Sequence, residues 1–160
     1  MTKHAAPATE FEPEFIKLLT QLFEEQIVFN AVLGLKVTSI RPEAVEGRID
    51  MKPELVGNYL HNRVHGGVIS AVLDSMAGLA VTAAVGARHM DEPPRKRLER
   101  FAKLGTIDLR VDYLRPAIGG HFTIKAEVMR LGSRVASTRM EFYGADGKLM
   151  STGAGAYIMS

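Results

Sequence analysis

The sequence contains no cysteine among its 160 residues. This absence excludes disulfide bonds, thiolate metal sites and a cysteine nucleophile. Histidines do not indicate a metal site either. His61 and His65 precede the long predicted helix, and no third ligand lies near them in the sequence. The glycine-rich loops that hold nucleotide phosphates are also missing. The sequence therefore predicts no metal ion and no cofactor.

Targeting and nucleic-acid signals are equally scarce. Residues 1 to 14 carry several charges and no apolar stretch, which excludes a secretory signal in that segment. The formal net charge of +2 is too small to indicate a nucleic-acid partner. The most hydrophobic segment, residues 64 to 85, contains Asp74, whose charge would be costly in a bilayer. We expect a cytoplasmic protein without nucleic-acid or membrane partners.

The composition fits one globular domain. Hydrophobic residues make up 46% of the chain and charged residues 24%, which supplies one substantial core. A length of 160 residues does not suffice for two domains of typical size. We expect a single domain over residues 1–160, with residues 1–11 as a frayed tail.

Hydrophobic periodicity divides the chain into helical and extended segments. A helix is predicted over residues 12–33 and ends at Gly34, and a second one covers residues 68–85. A loop is predicted over residues 53–64, and a loop with a short exposed helix over residues 86–104. Strands are predicted at 35–40, 44–51, 105–114, 121–131, 134–143 and 148–158. We expect the last four strands to form an antiparallel meander.

The helix over residues 68–85 is apolar around nearly its whole circumference. A helix of this kind is buried on all sides. In a chain of this length, a sheet wrapped around the helix is the way to bury it. The sequence predicts an α+β fold, with an antiparallel sheet of five to six strands around a long central apolar helix.

The segment just before that helix has the features of an anion-binding turn. Gly66 and Gly67 precede the apolar run and would expose backbone N–H groups at the helix N-terminus. An oxyanion hole requires such donors. Asp74 follows about two turns later, where a lone carboxylate is costly without a partner or a function. Asp74 could instead bind a buried backbone group or a strand hydroxyl for structural reasons.

The spacing of Gly66 and Asp74 bears on the number of chains in the site. Eight residues of helix separate them by roughly 12 Å. One reacting carbonyl needs contacts near ~3 Å, so one chain does not place both groups on it. If both act on one substrate, two chains share the site, and a two-fold dimer contains two such sites.

Two runs of sequence resemble a known family. The run from His65 to Asp74, HGGVISAVLD, resembles the signature of the PaaI-like acyl-CoA thioesterases of the hotdog-fold superfamily. The run from Gly105 to Pro116 resembles the strand that follows it in that family. The resemblance extends loosely from about residue 30 to residue 158. It implies a hotdog fold and hydrolysis of acyl-CoA to a free acid and coenzyme A.

The resemblance also implies roles for individual residues. The backbone N–H groups near Gly66 and Gly67 would polarise the thioester carbonyl. Asp74 of the partner chain would act as general base or nucleophile, and Thr106 would orient the attacking water. Thr106 shares a strand face with charged residues, so it could equally belong to a solvated or interface face.

The loop before the helix and the basic residues supply further candidates. The resemblance implies that Asn58, or less favourably Asn62, helps to hold the carbonyl, and that His65 shapes the turn. Arginines that could contact the phosphates of coenzyme A are Arg97, Arg110 and Arg115. The alternative for these arginines is an ordinary solvated surface. The expected assembly is a homodimer with shared sites, which could pair again into a homotetramer.

Two other functions compete with hydrolysis. A hotdog hydratase or dehydratase of enoyl thioesters pairs an acid with a histidine, but Val56 stands where the acid would be. The second alternative is an acyl-CoA-binding module without catalysis. Asp74 argues against such a module, because binding an apolar chain does not require a buried carboxylate.

Overall fold

The computed structural model describes residues 10–159, and its helices depart from the sequence prediction in the N-terminal region. The helices are α1 Pro13–Gln21, α2 Val28–Leu33, α3 Gly66–Ala87 and α4 Pro94–Glu99. A π-helical turn covers Leu22–Gln26, and 3-10 turns cover Pro53–Leu55 and Arg100–Lys103.

The continuous helix predicted over residues 12–33 is wrong. Ile27 has an extended backbone with a ψ of 90°, which separates the π-helical turn from α2. The side-chain amide of Asn30 donates to the carbonyl of Phe23 at 2.9 Å, so a carbonyl freed by the break is satisfied. Gly34 ends α2 as predicted, with a φ of 74° that favours glycine.

The predicted tail lies mostly outside the described residues, which exclude residues 1–9. Phe11 corrects the end of that prediction, because its side chain is buried and packs edge-on against Phe15 at a ring separation of 5.0 Å. The ordered chain therefore begins before residue 12.

Eight strands are present among the described residues. They are β1 Lys36–Ile40, β2 Val45–Asp50, β3 Val56–Asn58, β4 Arg63–Val64, β5 Gly105–Tyr113, β6 His121–Leu131, β7 Val135–Gly144 and β8 Leu149–Ile158. Six of them form one antiparallel sheet in the order β1-β2-β6-β7-β8-β5. The predicted loop over residues 53–64 contains the short β3-β4 hairpin.

The predicted meander of the last four strands is correct only for β6, β7 and β8. Strand β5 pairs with β8, with Thr106 opposite Tyr157 and Tyr113 opposite Ser151. Strand β6 is already held between β2 and β7, so β5 takes the open side of β8. As a result, β5 forms an edge of the sheet, and its outer side pairs with no strand of residues 10–159.

The sheet wraps around α3, as the sequence predicted. The side chains of Val72, Leu73, Met76 and Leu79 are fully buried against the sheet. Helix α3 is long and apolar enough to cross a bilayer, but 61% of its most apolar stretch is buried within the fold. It is the core helix of an α+β domain.

Candidate active site

Asp74 lies on α3 at the point where the helix passes the ends of β5 and β8. The hydroxyl of Thr106 donates to Asp74 Oδ1 at 2.9 Å, and the hydroxyl of Tyr157 donates to the same oxygen at 2.8 Å. No group within residues 10–159 donates to Oδ2. One carboxylate oxygen is therefore fixed by two hydroxyls, while the other is available to a ligand.

The carboxylate opens into a small apolar cleft. This Asp74 cleft has a volume of about 170 Å³, and Phe23, Ile27, Gly78 and Leu104 contribute to its lining. The hydroxyl of Ser75 donates to the buried amide oxygen of Asn30 at 2.7 Å, which ties α2 to α3 beside the cleft. The break in the N-terminal helix thus places Phe23 and Ile27 against the catalytic candidate.

Tyr157 is a site residue that the sequence analysis missed. Its side chain is buried, and burial together with the nearby Asp74 charge raises the pKa of its phenol above the ordinary value of 10.0. The phenol therefore stays protonated and donates to Asp74 at neutral pH. The sequence signal for Tyr157 was its position as a large residue directly after the run of small residues 151–156 in β8.

Gly66 and Gly67 lie in the first turn of α3. His65 is the N-cap, and its Nδ1 accepts the N–H of Gly67 at 2.8 Å. The N–H of Gly66 finds no acceptor within residues 10–159. Of the two donors that the sequence indicated, only Gly66 is free to bind a ligand in this arrangement.

Tyr113, at the far end of β5 from Thr106, closes over Gly66. Its hydroxyl donates to the carbonyl of Gly66 at 2.8 Å. Its ring lies 3.3 Å from where a β-carbon on Gly66 would stand. Tyr113, Gly66, Arg63 and Arg115 contribute to a second cleft of about 400 Å³, the Gly66 cleft.

The β3-β4 loop packs closely onto this turn. A β-carbon on Gly57 would lie 2.5 Å from the α-carbon of His65, so only glycine lets the loop pass there. Asn58 Oδ1 accepts the N–H of Leu60 at 3.1 Å, which shapes the turn, and Asn62 adopts a left-handed φ of 48°. The side-chain amide group of Asn58 donates to no residue within 10–159.

The three arginines predicted to contact coenzyme A lie in different surroundings. Arg97 is a correction, because its guanidinium is 1% exposed, forms an ion pair with Glu12 and stacks 4.1 Å above the ring of Phe15. A buried and paired guanidinium does not reach a ligand in solvent. Arg110 is exposed and pairs with Asp112 at 3.2 Å. Arg115 lines the Gly66 cleft and donates to the carbonyl of Leu149 at 2.8 Å.

Comparison with known proteins identifies the family. The sequence matches the family model described as Thioesterase superfamily over residues 61–151. This range is more than half of the chain and includes lining residues of both clefts. The chain belongs to this superfamily. It is 33% identical to the medium/long-chain acyl-CoA thioesterase YigI of Salmonella typhimurium over 144 residues, which are 90% of this chain and 93% of that protein. The chain is also 33% identical to the Escherichia coli K12 protein of the same name, over 90% of this chain and 93% of that protein.

Solved structures agree with this thioesterase superfamily membership. A Shewanella oneidensis protein related to the thioesterase superfamily is 37% identical, with a TM-score of 0.85 over 94% of this chain and 100% of that one. Thioesterase superfamily member 2 of Mus musculus has a TM-score of 0.73 at 20% identity, over 94% and 100% of the two chains. The mouse structure supports the fold alone. The hotdog fold implied by the sequence resemblance is confirmed.

Proposed function

We propose that this protein hydrolyses acyl-CoA thioesters to a free carboxylic acid and coenzyme A, with Asp74 as the central catalytic residue. The observation that carries the proposal is the carboxylate itself, which lines an apolar cleft, with Oδ1 held by two hydroxyls and Oδ2 without a donor among residues 10–159. The 33% identity to a medium/long-chain acyl-CoA thioesterase over 90% of the chain supports it. A module that only binds acyl chains has no use for this arrangement.

The chemistry at Asp74 follows one of two balanced routes. As general base, Oδ2 removes a proton from water while the hydroxide attacks the thioester carbonyl, and the thiolate of coenzyme A leaves and takes up a proton. As nucleophile, Oδ2 attacks the carbonyl, the thiolate of coenzyme A leaves and takes up a proton, and water then cleaves the resulting mixed anhydride. Label found in the Asp74 carboxylate after single-turnover hydrolysis in ¹⁸O-labelled water identifies the nucleophilic route, because the general-base route places label in the product acid alone.

Thr106 and Tyr157 position this carboxylate in both routes. Two donated hydrogen bonds on Oδ1 fix the plane of the carboxyl group, which orients Oδ2 towards the substrate. Thr106 also stands at the exposed mouth of the cleft, where its oxygen can accept a hydrogen bond from the attacking water.

The carbonyl oxygen of the substrate is held by Gly66 of a second copy. The N–H of Gly66 is the unsatisfied donor at the positive end of α3, which suits the developing negative charge. The N–H of Gly67 is held by His65, so this glycine and the histidine serve to fix the turn. Asn58, with a free amide group in the adjoining loop, adds a second donor. Arg115 and Arg63 in the Gly66 cleft are placed to meet phosphates of coenzyme A.

Strand β5 supports the sharing of the site between two copies. Thr106, near one end, contacts Asp74, and Tyr113, at the other end, contacts Gly66. Seven residues of strand separate the two ends by roughly 23 Å. If β5 pairs antiparallel with β5 of a second copy, Thr106 of each chain lies opposite Tyr113 of the other. That register brings the Asp74 cleft of one copy to the Gly66 cleft of its partner.

The outer edge of β5 is suited to such pairing. It has no partner strand within residues 10–159, and Ile107 on it is 55% exposed. The unpaired backbone groups of an edge strand can form hydrogen bonds with a strand of another chain. The homodimer closes on itself and contains two equivalent sites. A dimer of such dimers, and the location in the cytoplasm, stay predictions.

The proposal is tested by thiol release from a series of acyl-CoA thioesters. Asp74→Asn is expected to lose at least ~10² of the turnover, as is usual for a catalytic acid or base. Gly66→Pro removes the proposed oxyanion donor and adds a ring beside Tyr113. The backbone tolerates it, because proline is accepted at the first helical position and His65, with a ψ of 134°, already has the backbone that precedes proline. A loss of ~10² to 10³ is expected.

Gly66→Ala is the matched control, since it adds the same β-carbon beside Tyr113 but keeps the N–H. It is expected to retain most of the activity. No turnover on any thioester, or turnover that does not depend on Asp74, would overturn the proposal and favour an acyl-CoA-binding module. Hydration of enoyl thioesters without thiol release would instead identify a hydratase.

A further inference from the structure

The Asp74 cleft continues along α3 towards a second small cavity. Val81, Thr82 and Val85 line this second cavity from the helix side, at successive turns beyond Asp74 and Gly78. Phe101 and Leu104 line both spaces and stand between them. The path is apolar along this face of α3, which suits a hydrocarbon chain and not a polar ligand.

Gly78 lies beside Leu104, which lines both cavities. A β-carbon on Gly78 would come within 3.4 Å of Leu104 Cδ2 and 3.9 Å of Phe23 Cε1. Glycine in the middle of a helix is less favourable than alanine by about 1 kcal/mol. The missing side chain at Gly78 leaves a notch in the helix surface next to Leu104.

Phe101 closes the path from the opposite side and has room to move. Its ring packs edge-on against Phe23, with ring centroids 5.5 Å apart. Phe101 also borders an apolar cleft of about 370 Å³ on the outer surface, lined by Leu18, Leu22 and Leu98. The outer cleft is space into which the Phe101 ring can turn away from the path.

The backbone that carries Phe101 is anchored at several points. Arg100 donates to both carboxylate oxygens of Glu92 at 2.9 Å, and the buried Arg97 pairs with Glu12 of the N-terminal segment. These contacts hold α4 and the 3-10 turn after it against the body of the domain. The movable part of the barrier is therefore the side chain of Phe101 rather than the whole segment.

The geometry points to Phe101, with Leu104 and Gly78, as the residues that set the length of acyl chain the enzyme accepts, an inference that rests on the proposed function. From Asp74 to Gly78 the helix advances ~6 Å, and from Asp74 to Val85 ~16 Å. An extended chain advances at most ~3.5 Å for every three bonds. Short acyl chains of about five bonds end before Phe101. Chains of up to about 14 bonds extend beyond it, and the second cavity, which has a volume of about 20 Å³, must widen to receive them.

The test compares kcat/KM for straight-chain acyl-CoA substrates from four to sixteen carbons. Phe101→Ala removes the barrier and is expected to raise the ratio of long-chain to short-chain kcat/KM at least tenfold. Gly78→Met fills the notch and is expected to lower the same ratio at least tenfold.

Leu98→Ala, which alters the outer cleft, serves as the control. It is expected to leave the chain-length profile within about twofold of wild type. Thermal melting identifies any variant that fails to fold. If Gly78→Met fails to fold, the chain-length profile of Phe101→Ala alone tests the inference.

The outcomes separate this inference from the proposed function. If the wild-type enzyme hydrolyses thioesters but Phe101→Ala and Gly78→Met leave the chain-length profile unchanged, the acyl chain does not follow this path and the inference fails alone. If the wild type hydrolyses no thioester, the proposed function fails and the inference fails with it.

Discussion

The two ends of strand β5 differ in what they offer a substrate. At the Thr106 end, a carboxylate with one free oxygen faces a small apolar cleft. At the Tyr113 end, a free backbone donor and the exposed side chains of Arg63 and Arg115 border a wider cleft. In the proposed mechanism, the Thr106 end activates water and receives the acyl chain, and the Tyr113 end holds the oxyanion and the phosphates. The proposal therefore requires both ends for thioester hydrolysis.

If two copies pair along β5 as proposed, a two-fold axis joins the Thr106 end of each chain to the Tyr113 end of the other, and two half-sites become two complete sites. Activity would then depend on assembly as well as on the groups themselves. The predictions below test the two ends separately and then together.

The largest effect is expected from mixing two inactive variants. In a shared site, Asp74→Asn and Gly66→Pro damage different half-sites, so a mixed dimer has one fully damaged site and one intact site. Random re-pairing should restore about a quarter of the wild-type turnover, since half of the dimers are mixed and each has one active site. Thiol release before and after co-refolding measures it.

A mixture that stays as inactive as its components would show that each site is built from one chain. Mixing Asp74→Asn with Asp74→Ala is the control, because neither partner supplies a carboxylate. This mixture is expected to remain inactive at every ratio.

Removal of the hydroxyls at the Thr106 end should have the next largest effect. Thr106→Val and Tyr157→Phe each remove one hydrogen bond to a charged group, of about 1.5–3 kcal/mol, and should lower kcat about 10- to 100-fold. Because both residues orient Asp74, KM should change little. Steady-state kinetics with a saturating acyl-CoA measures the two constants, and a rise in KM at constant kcat would contradict a positioning role.

A charge on the outer edge of β5 should weaken the assembly. Ile107→Lys places a buried charge at the expected pairing of two β5 strands, so the protein should dissociate and lose about tenfold in specific activity on dilution. Sedimentation velocity and activity, measured over the same concentrations, should fall together. Met129→Lys is the control, because Met129 is 57% exposed on an interior strand. Full activity in a monomeric Ile107→Lys protein would exclude the shared site.

Alkaline pH should destabilise the fold through Tyr157. Burial raises the pKa of this phenol in the folded state above its ordinary value of 10.0. Its contribution to stability is therefore complete below pH 10 and decreases above it, where the unfolded phenol ionises but the folded one does not. The loss is at most about 1.4 kcal/mol per pH unit. Melting temperatures between pH 8 and 11 should fall less steeply for Tyr157→Phe than for wild type.

The smallest effect is expected at the cap of α3. His65→Ala leaves the N–H of Gly67 without its acceptor and should cost about 1 kcal/mol, or a fall of about 2–4 °C in melting temperature. His65→Asn restores an acceptor and should recover most of this loss. If His65→Ala melts like the wild type, the imidazole is not a significant cap, and Gly67 regains its place as an oxyanion donor.

Much of the fold was predictable because its signals are local. The apolar circumference of α3 indicated a wrapped helix, and alternation along β5 to β8 indicated strands whose ends agree closely with the structure. The break at Ile27 was not predictable, since the helical spacing of apolar residues continues through it. The break is stabilised by Asn30, and through it by Ser75, which is 45 residues away.

The candidate site was predictable to a similar degree. Asp74 stood out because it is a charged residue in an apolar helix. Gly66 stood out because it lies just before that helix, and Thr106 because its strand resembles the corresponding strand of the thioesterase family. Tyr157 was missed because it meets Asp74 across 83 residues of sequence. Arg97 was misassigned because a basic run resembles an exposed surface, whereas its partner Glu12 lies 85 residues away.

The sequence by itself determined the elements of this protein and the chemical groups that they carry. Backbone periodicity, glycine positions and an isolated carboxylate depend on neighbours within a few turns, so they can be recognised along the chain. The tertiary structure alone decided that β5 takes the open edge of the sheet, that Tyr157 reaches Asp74 and that Phe101 divides the cleft. These contacts join distant segments, and their positions follow from how the whole sheet closes around α3.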